Sequence, residues 1–351
     1  MVRCGIIGCG VIAPTHAAGI ECVGNAVLAA VCDIDPQRLQ EFGDKYNVTK
    51  RYTDYHDMLA DPEIDLVHVC TDHASHAPIV IDAIAAGKHV LCEKPAGHDD
   101  ADLAAMADAA AKHPELVTSG VFQHRFVKQN IALKELVEDN AFGKMLMVTL
   151  SFCCLRTDDY YTQDAWRGTL KYEGGGVLIN QAIHYIDQLR FTFGDIKQVS
   201  AICRNQNHQG IIEVEDAAMV TVEFANGILG TIAATNASAT KWRSDMVITG
   251  TDATLTLVTE KPAFVGSSDE ALKNRIEAAV APEVKPQIVG KSYYGTGHTR
   301  QIADVCDAIE NRRQPEVSLI DAINTASLVM AIYESERKGG IPVNVRYYSC
   351  K

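Results

Sequence analysis

The chain has 351 residues, 47% hydrophobic and 22% charged, a globular composition that excludes a disordered or fibrous chain and favours two domains over a single core. A formal net charge of −13 excludes nucleic acid as a general partner, because phosphate contacts need a basic face; a local basic pocket for a small anion stays open. No apolar run approaches the roughly 18 residues of a membrane span, and the eleven cysteines and twelve histidines contain neither CxxC nor HExxH, so neither a membrane protein nor a metal site is expected.

In chain order, "VRCGIIG" reads as a strand, the stretch from about Ile12 to Val23 as a helix, "AVLAAVCD" as a strand and "DPQRLQEFGDKY" as a helix. "HDMLADPEI" is a short helix, "DLVHVCT" a strand, "HAPIVIDAIAAG" a helix ending at Gly87, and "KHVLCEKP" a strand running into a loop. A helix over "DDADLAAMADAAAKHP" and a strand in "ELVTSGVF" complete this pattern. Strands apolar throughout are buried on both faces, so the alternation predicts a doubly wound α/β domain over 1–122. From Gln123 the character changes. A helix at "IALKELVEDN" is followed by long strands at "KMLMVTLSFCC", "KQVSAICRN", "DAAMVTVEFANG", "ILGTIAATNAS" and "SDMVITG". The Asn-Gly of "FANGIL" marks a tight hairpin. This predicts a second α/β domain over 123–351 with an open, mostly antiparallel sheet, and "INQAIHYIDQLRFTF" as one helix on its face. Residues 260–287 give no clear period. Helices over 298–311 and 319–338 and a strand "PVNVRY" close the chain and are expected to pack back on the first domain.

Two motifs carry chemistry. Gly8-x-Gly10-x-x-Ala13 follows the first strand and opens a helix. The first glycine permits the tight turn, the second lets backbone approach a pyrophosphate, and Ala13 allows close helix packing, with Val11 and Ile12 completing the loop. Asp33 ends the second strand where a carboxylate would accept the ribose hydroxyls and repel a 2′-phosphate, which favours NAD over NADP. Asp35, before Pro36, reads as a helix cap. The second motif, Glu93-Lys94-Pro95, lies just past the carboxyl end of a buried strand, the edge where open α/β sheets bind ligands. There a lysine is either a solvated charge or a cation aimed into the cleft.

Together the Gly8/Gly10/Ala13 loop, "AGKHVLCEKP", "GGGVLINQAIHYID" and "GTGHTRQIADVCDAI" resemble the Gfo/Idh/MocA oxidoreductases over essentially the whole chain. The resemblance implies a Rossmann domain followed by an open-sheet domain, a nicotinamide cofactor, sugar, glycoside, nucleotide-sugar or cyclitol substrates, and dimers or tetramers formed through the open sheet. It assigns Lys94 and His184 as the catalytic pair. At position 180, where many members carry Asp, this chain has Asn180, as in members that act at C3 of hexoses. An imidazole, with an unperturbed pKa of about 6.5, suits His184 to take the hydroxyl proton. Lys94 would steady the alkoxide. Asn180 would bind a substrate hydroxyl from the same helix face one turn away.

Further candidates are Thr71 and Glu93 at the cofactor, and Arg125, Trp166, Arg167 and Tyr294 at the substrate. Tyr160 and Tyr161 are either pocket wall or core, and His298 either cleft or helix start. Lys88 and His89 read as solvated and His76 as packing. An alternative chemistry is an NAD-dependent glycoside hydrolase using transient C3 oxidation and elimination. The odd cysteine count and the immediate entry into a strand predict a cytoplasmic enzyme.

Overall fold

The computed structural model describes residues 1–283 and 296–349. The first stretch alternates β1 (Val2–Ile7), α1 (Ala13–Glu21), β2 (Ala26–Cys32), α2 (Pro36–Lys45), β3 (Lys50–Tyr52), α3 (Tyr55–Ala60), β4 (Leu66–Val69), α4 (His73–Ala85), β5 (His89–Cys92), α5 (Asp100–Lys112) and β6 (Thr118–Gly120). Next come α6 (Lys128–Glu138), β7 (Met145–Leu155), α7 (Asp158–Thr162), α8 (Val177–Asn180), α9 (Ile183–Phe193), β8 (Ile196–Arg204), β9 (Ala217–Phe224) and β10 (Leu229–Thr235). The last are β11 (Ala237–Gly250), β12 (Thr254–Val258), β13 (Lys261–Gly266), α10 (Glu270–Ala279), α11 (Gly297–Asn311), α12 (Leu319–Arg337) and β14 (Val343–Asn344).

Two compact units result. The first holds Met1–Phe126 with the described parts of 296–326 and 347–349; the second holds 127–283 and Ser327–Arg346. In the first, six parallel strands run in the order β3-β2-β1-β4-β5-β6. The order reverses between β1 and β4, so the loops leaving these two strands flank a crevice at the carboxyl edge. The core packs Cys4, Ile6, Ala17, Ile20, Val31 and Leu91 against Ile302, Val305 and Cys306 of α11, so this late helix completes the first unit's core.

In the second unit eight strands run β13-β12-β11-β7-β10-β9-β8-β14. Every pairing is antiparallel except β7 with β10, so the sheet is mixed. The Asn-Gly hairpin joins β9 to β10, with Gly227 at φ 86° and Phe224 N–H donating to the Ile228 carbonyl. Buried and exposed residues alternate along β8, β9 and β10, leaving Ile202, Met219 and Leu229 exposed on one face.

Several expectations are corrected. Helix α4 starts at His73, three residues before the expected "HAPIV", because Asp72 caps it through the Ser75 N–H. The segment 260–287 contains β13 and α10, the latter capped by Asp269. The expected single helix over "INQAIHYIDQLRFTF" is two. Ala182 N–H donates to the Val177 carbonyl five residues back, a π-type step that ends α8 at Asn180 before α9 begins at Ile183. Asn180 and His184 therefore lie on consecutive helices and not one turn apart on a continuous face.

Candidate active site

In the first unit, Gly8 leaves β1 with φ 92°, a left-handed backbone, and an added Cβ would lie 2.7 Å from the Cys70 carbonyl oxygen. Its N–H donates to the Cys32 carbonyl at 2.8 Å, which ties the turn to the end of β2. Gly10 is different: nothing stands within 4 Å of where its Cβ would be, so backbone there faces open space. Val11 is exposed, Ile12 half-buried and Ala13 fully buried. Ile12 supplies no side-chain cap to α1, so the helix presents its first N–H groups toward that space. Asp33 is 5% exposed; one oxygen accepts from Cys9 N–H at 2.8 Å and the other from Asp35 N–H at 2.9 Å. These bonds aim the carboxylate along the loop, and each oxygen keeps a lone pair for a ribose hydroxyl. Arg38, 3.5 Å from Asp33, is a cation that sequence spacing did not single out. Open space at Gly10, an uncapped helix start and an aimed carboxylate fit a dinucleotide.

Thr71 follows β4 across the crevice, and its carbonyl lies 3.2 Å from His76 Nε2, while His76 Nδ1 is 2.7 Å from the Pro95 carbonyl. Buried His76 thus ties the Thr71 turn to the segment bearing Lys94, whose peptide to Pro95 is cis. Glu93 is buried. Burial alone would raise its carboxyl, but the hydrogen bond and charge of His16, with His298 and Lys94, bring it down to about 2. Its oxygens meet His16 Nε2 at 3.0 Å and the Lys94 N–H at 3.1 Å. His16 Nδ1 reaches His68 Nδ1 at 2.9 Å, and His68 is pushed well below the ordinary imidazole range by burial and then by His16. Of this buried chain under Lys94 the sequence marks Glu93 and, less plainly, a histidine inside the apolar run "LVHV"; its link through His16 was not foreseen.

Arg125 is nearly buried and 3.7 Å from Asp321, so it is not a solvated surface charge. His298 is buried at the start of α11, its ring 6.2 Å from His16. Two expectations fail here. Lys88 is buried, donating to the Asp61 and Ile64 carbonyls at 2.7 and 2.9 Å, and burial pulls its pKa down. His89 is half-buried and accepts the Val117 N–H at 2.9 Å.

In the second unit the glycine run is a packing device. Gly174 turns the chain at φ 81°, and Cβ atoms at Gly175 and Gly176 would collide with Tyr333 and the Glu215 carbonyl. The close approach that these glycines permit is therefore to the protein's own Glu215 and Tyr333. Glu215 accepts from Gly176 N–H (2.8 Å), Leu178 N–H (3.0 Å) and the Tyr333 hydroxyl (2.9 Å), pinning the start of α8. Burial still pushes its carboxyl up to about 7.

Asn180, at the end of α8, donates its Nδ2 to Glu173 and lies 3.4 Å from the Tyr160 hydroxyl. Glu173 is 1% exposed and also accepts the Gly168 N–H. Arg167 donates to Tyr160, pairs with Asp164 at 2.8 Å, and stacks 4.6 Å from the Trp166 ring and 4.3 Å from Tyr160. Gln181, 3.5 Å from the Tyr160 hydroxyl, accepts from Asn236 at 2.9 Å. Tyr161 is core, its hydroxyl accepting from Asn236 at 2.8 Å. The second unit thus brings Trp166, Arg167 and Asn180 into one polar cluster. His184 is the second residue of α9 and partly exposed. Tyr294 lies outside the described residues. Glu173, Glu215, Gln181 and Asn236 escaped sequence reading because nothing in spacing marks a polar residue as buried.

Two family descriptions match the chain: "Oxidoreductase family, NAD-binding Rossmann fold" over residues 2–121 and "GFO/IDH/MocA C-terminal domain" over 131–256. The chain is 31% identical over 241 residues to the myo-inositol 2-dehydrogenase of Thermotoga maritima, covering 66% of this chain and 67% of that one. Its fold is similar to the WlbA dehydrogenase of Bordetella pertussis, solved with NADH and UDP-GlcNAcA, at TM-score 0.87 and 25% identity over 98% of both chains. The WlbA dehydrogenase of Chromobacterium violaceum, solved with the same two ligands, is similar at TM-score 0.87 and 28% identity, over 98% of this chain and 96% of that one. No helix among the described residues is long and apolar enough to cross a membrane.

Proposed function

The chain belongs to the Gfo/Idh/MocA family of NAD-dependent oxidoreductases, and from that premise we propose that it interconverts a secondary alcohol and a ketone on a sugar or cyclitol. The observation that carries this reading is the second unit's part-buried polar cluster, in which Asn180, Tyr160 and Arg167 offer both donors and acceptors for a polyhydroxylated ring. The relatives support it, since those named above act on or bind a cyclitol or a nucleotide sugar.

Bound NAD supplies the hydride acceptor or donor. The chain's own residues manage the proton and the charge. Lys94 hydrogen-bonds the reacting oxygen and stabilises it as it becomes an alkoxide. His184 takes the hydroxyl proton in oxidation and returns it in reduction. Asn180 binds a substrate hydroxyl, with Trp166, Arg167 and Arg125 shaping the substrate's surroundings. Thr71 and Glu93 support the cofactor side, where the Gly8–Ala13 loop and Asp33 hold the dinucleotide. The exposed face of the β8–β10 region serves self-association, and the enzyme works in the cytoplasm.

A panel of cyclitols, sugars, glycosides and nucleotide sugars, followed by NADH absorbance with added NAD, tests the reading. Net NADH formation is expected; turnover of a glycoside without it would replace this reading with transient-oxidation hydrolysis. His184→Ala should lower kcat by roughly 10²- to 10⁴-fold while NADH affinity, followed by fluorescence, stays within about twofold of wild type. Full turnover in that variant would remove His184 from the mechanism.

A further inference from the structure

Asn180 stands where the family resemblance implies an aspartate, and its surroundings favour an amide. A carboxylate is acceptor-only. Glu173, buried, already spends its oxygens on the Gly168 N–H and on Asn180 Nδ2. The amide of Asn180 is therefore fixed in one sense: Nδ2 toward Glu173 and the Tyr160 hydroxyl, carbonyl Oδ1 turned away from Glu173. An aspartate at 180 would set two carboxylates across one buried hydrogen bond, and one of them would have to keep its proton. Arg167, against the Tyr160 ring and hydroxyl and paired with Asp164, carries the nearby positive charge. The carboxylate that meets this hydrogen bond thus stands at 173 and not at 180.

We propose that Glu173 is a positioning residue: it locks the Asn180 amide so that Oδ1 is delivered as a hydrogen-bond acceptor for a substrate hydroxyl, and it supplies the carboxylate of this pair. The substrate half of this inference rests on the proposed function; the carboxylate–amide lock does not.

The test exchanges the two groups. Asn180→Asp puts two carboxylates face to face, while the double variant Glu173→Gln/Asn180→Asp restores one carboxylate and one amide. In that variant the new amide at position 173 accepts from the Gly168 N–H and donates to the new carboxylate at position 180. Thermal unfolding without substrate is read against pH. In Asn180→Asp the folded pair holds a proton that the unfolded chain releases near pH ~4, so its Tm should fall relative to wild type as pH rises above that value. The double variant should regain most of the loss. Identical pH profiles for Asn180→Asp and wild type, or no recovery in the double variant, would overturn the lock.

Steady-state kinetics with myo-inositol or the best member of the panel form the second arm. Glu173→Gln frees the Asn180 amide to flip and should lower kcat/KM about tenfold with NADH affinity unchanged. The double variant should recover activity with its pH–rate limb displaced, because the charge now stands at 180. Wild-type kcat/KM in Glu173→Gln would overturn the positioning role. A wild-type chain inert toward the whole panel would refute the proposed function, while the stability signature would still decide the lock.

Discussion

At the scale of single residues, buried carboxylates make stability depend on pH. Glu93 and Glu215 are both buried, yet they move in opposite directions, because Glu93 has His16 at 3.0 Å and Glu215 has only neutral donors. With a folded-state pKa of about 7, Glu215 keeps its proton where an unfolded glutamate, near 4.5, has lost it. The native state then binds more protons than the unfolded state between those values. Stability from this group falls as pH rises from about 4.5 to about 7, by on the order of 1 kcal/mol per unit, and is flat above. Denaturation midpoints across that range should fall for wild type relative to Glu215→Gln. Parallel curves would show that Glu215 is ionised throughout. None of this was visible in "IEVEDAAM", where Glu215 is one acid among three.

Among the elements, local chemistry was the more reliable guide. The Asp35-Pro36 pair marked the start of α2, and Asp35 accepts from both Gln37 and Arg38 N–H groups. Asp35→Ala should lower stability by about 1 kcal/mol in urea denaturation and leave NADH affinity within twofold, since Asp33 keeps its bond from Cys9. A large loss of affinity would mean that Asp35, too, serves the nucleotide. Elements whose residues obey no strong period were missed. Strand β3 is three half-buried residues, and β13 is an edge strand, half of its residues exposed, that contains Pro262. An edge strand needs little burial, so alternation is not imposed on it. The break between α8 and α9 was hidden for the opposite reason. "VLINQAIHYI" is apolar enough to read as one helix, and only the Ala182 N–H turning to the Val177 carbonyl shows that the α8 ladder stops at Asn180.

At the scale of the molecule, exposed apolar side chains gathered on one sheet face among the described residues are the proposed site of self-association. Ile202 and Met219 are paired across β8 and β9, and Leu229 with Met147 across β10 and β7, all of them 48–62% exposed. A second copy of the chain is the proposed cover. Ile202→Lys/Met219→Lys should reduce a dimer or tetramer to monomer in sedimentation equilibrium, with little change in secondary structure by circular dichroism. A monomeric wild type would end that proposal.

What the sequence determined alone was the run of buried strands, the Gly8–Ala13 turn with Asp33 after the second strand, and the hairpin at Asn226-Gly227. Each is set by residues close together in the chain, through backbone sterics, capping and the side-chain period. Only the tertiary structure decided that Gly175 and Gly176 make room for Tyr333 and Glu215 and that Glu173 faces Asn180. Those outcomes depend on which groups are removed from water together. Burial of a polar side chain is a property of the packed chain, and no local pattern of residues records it.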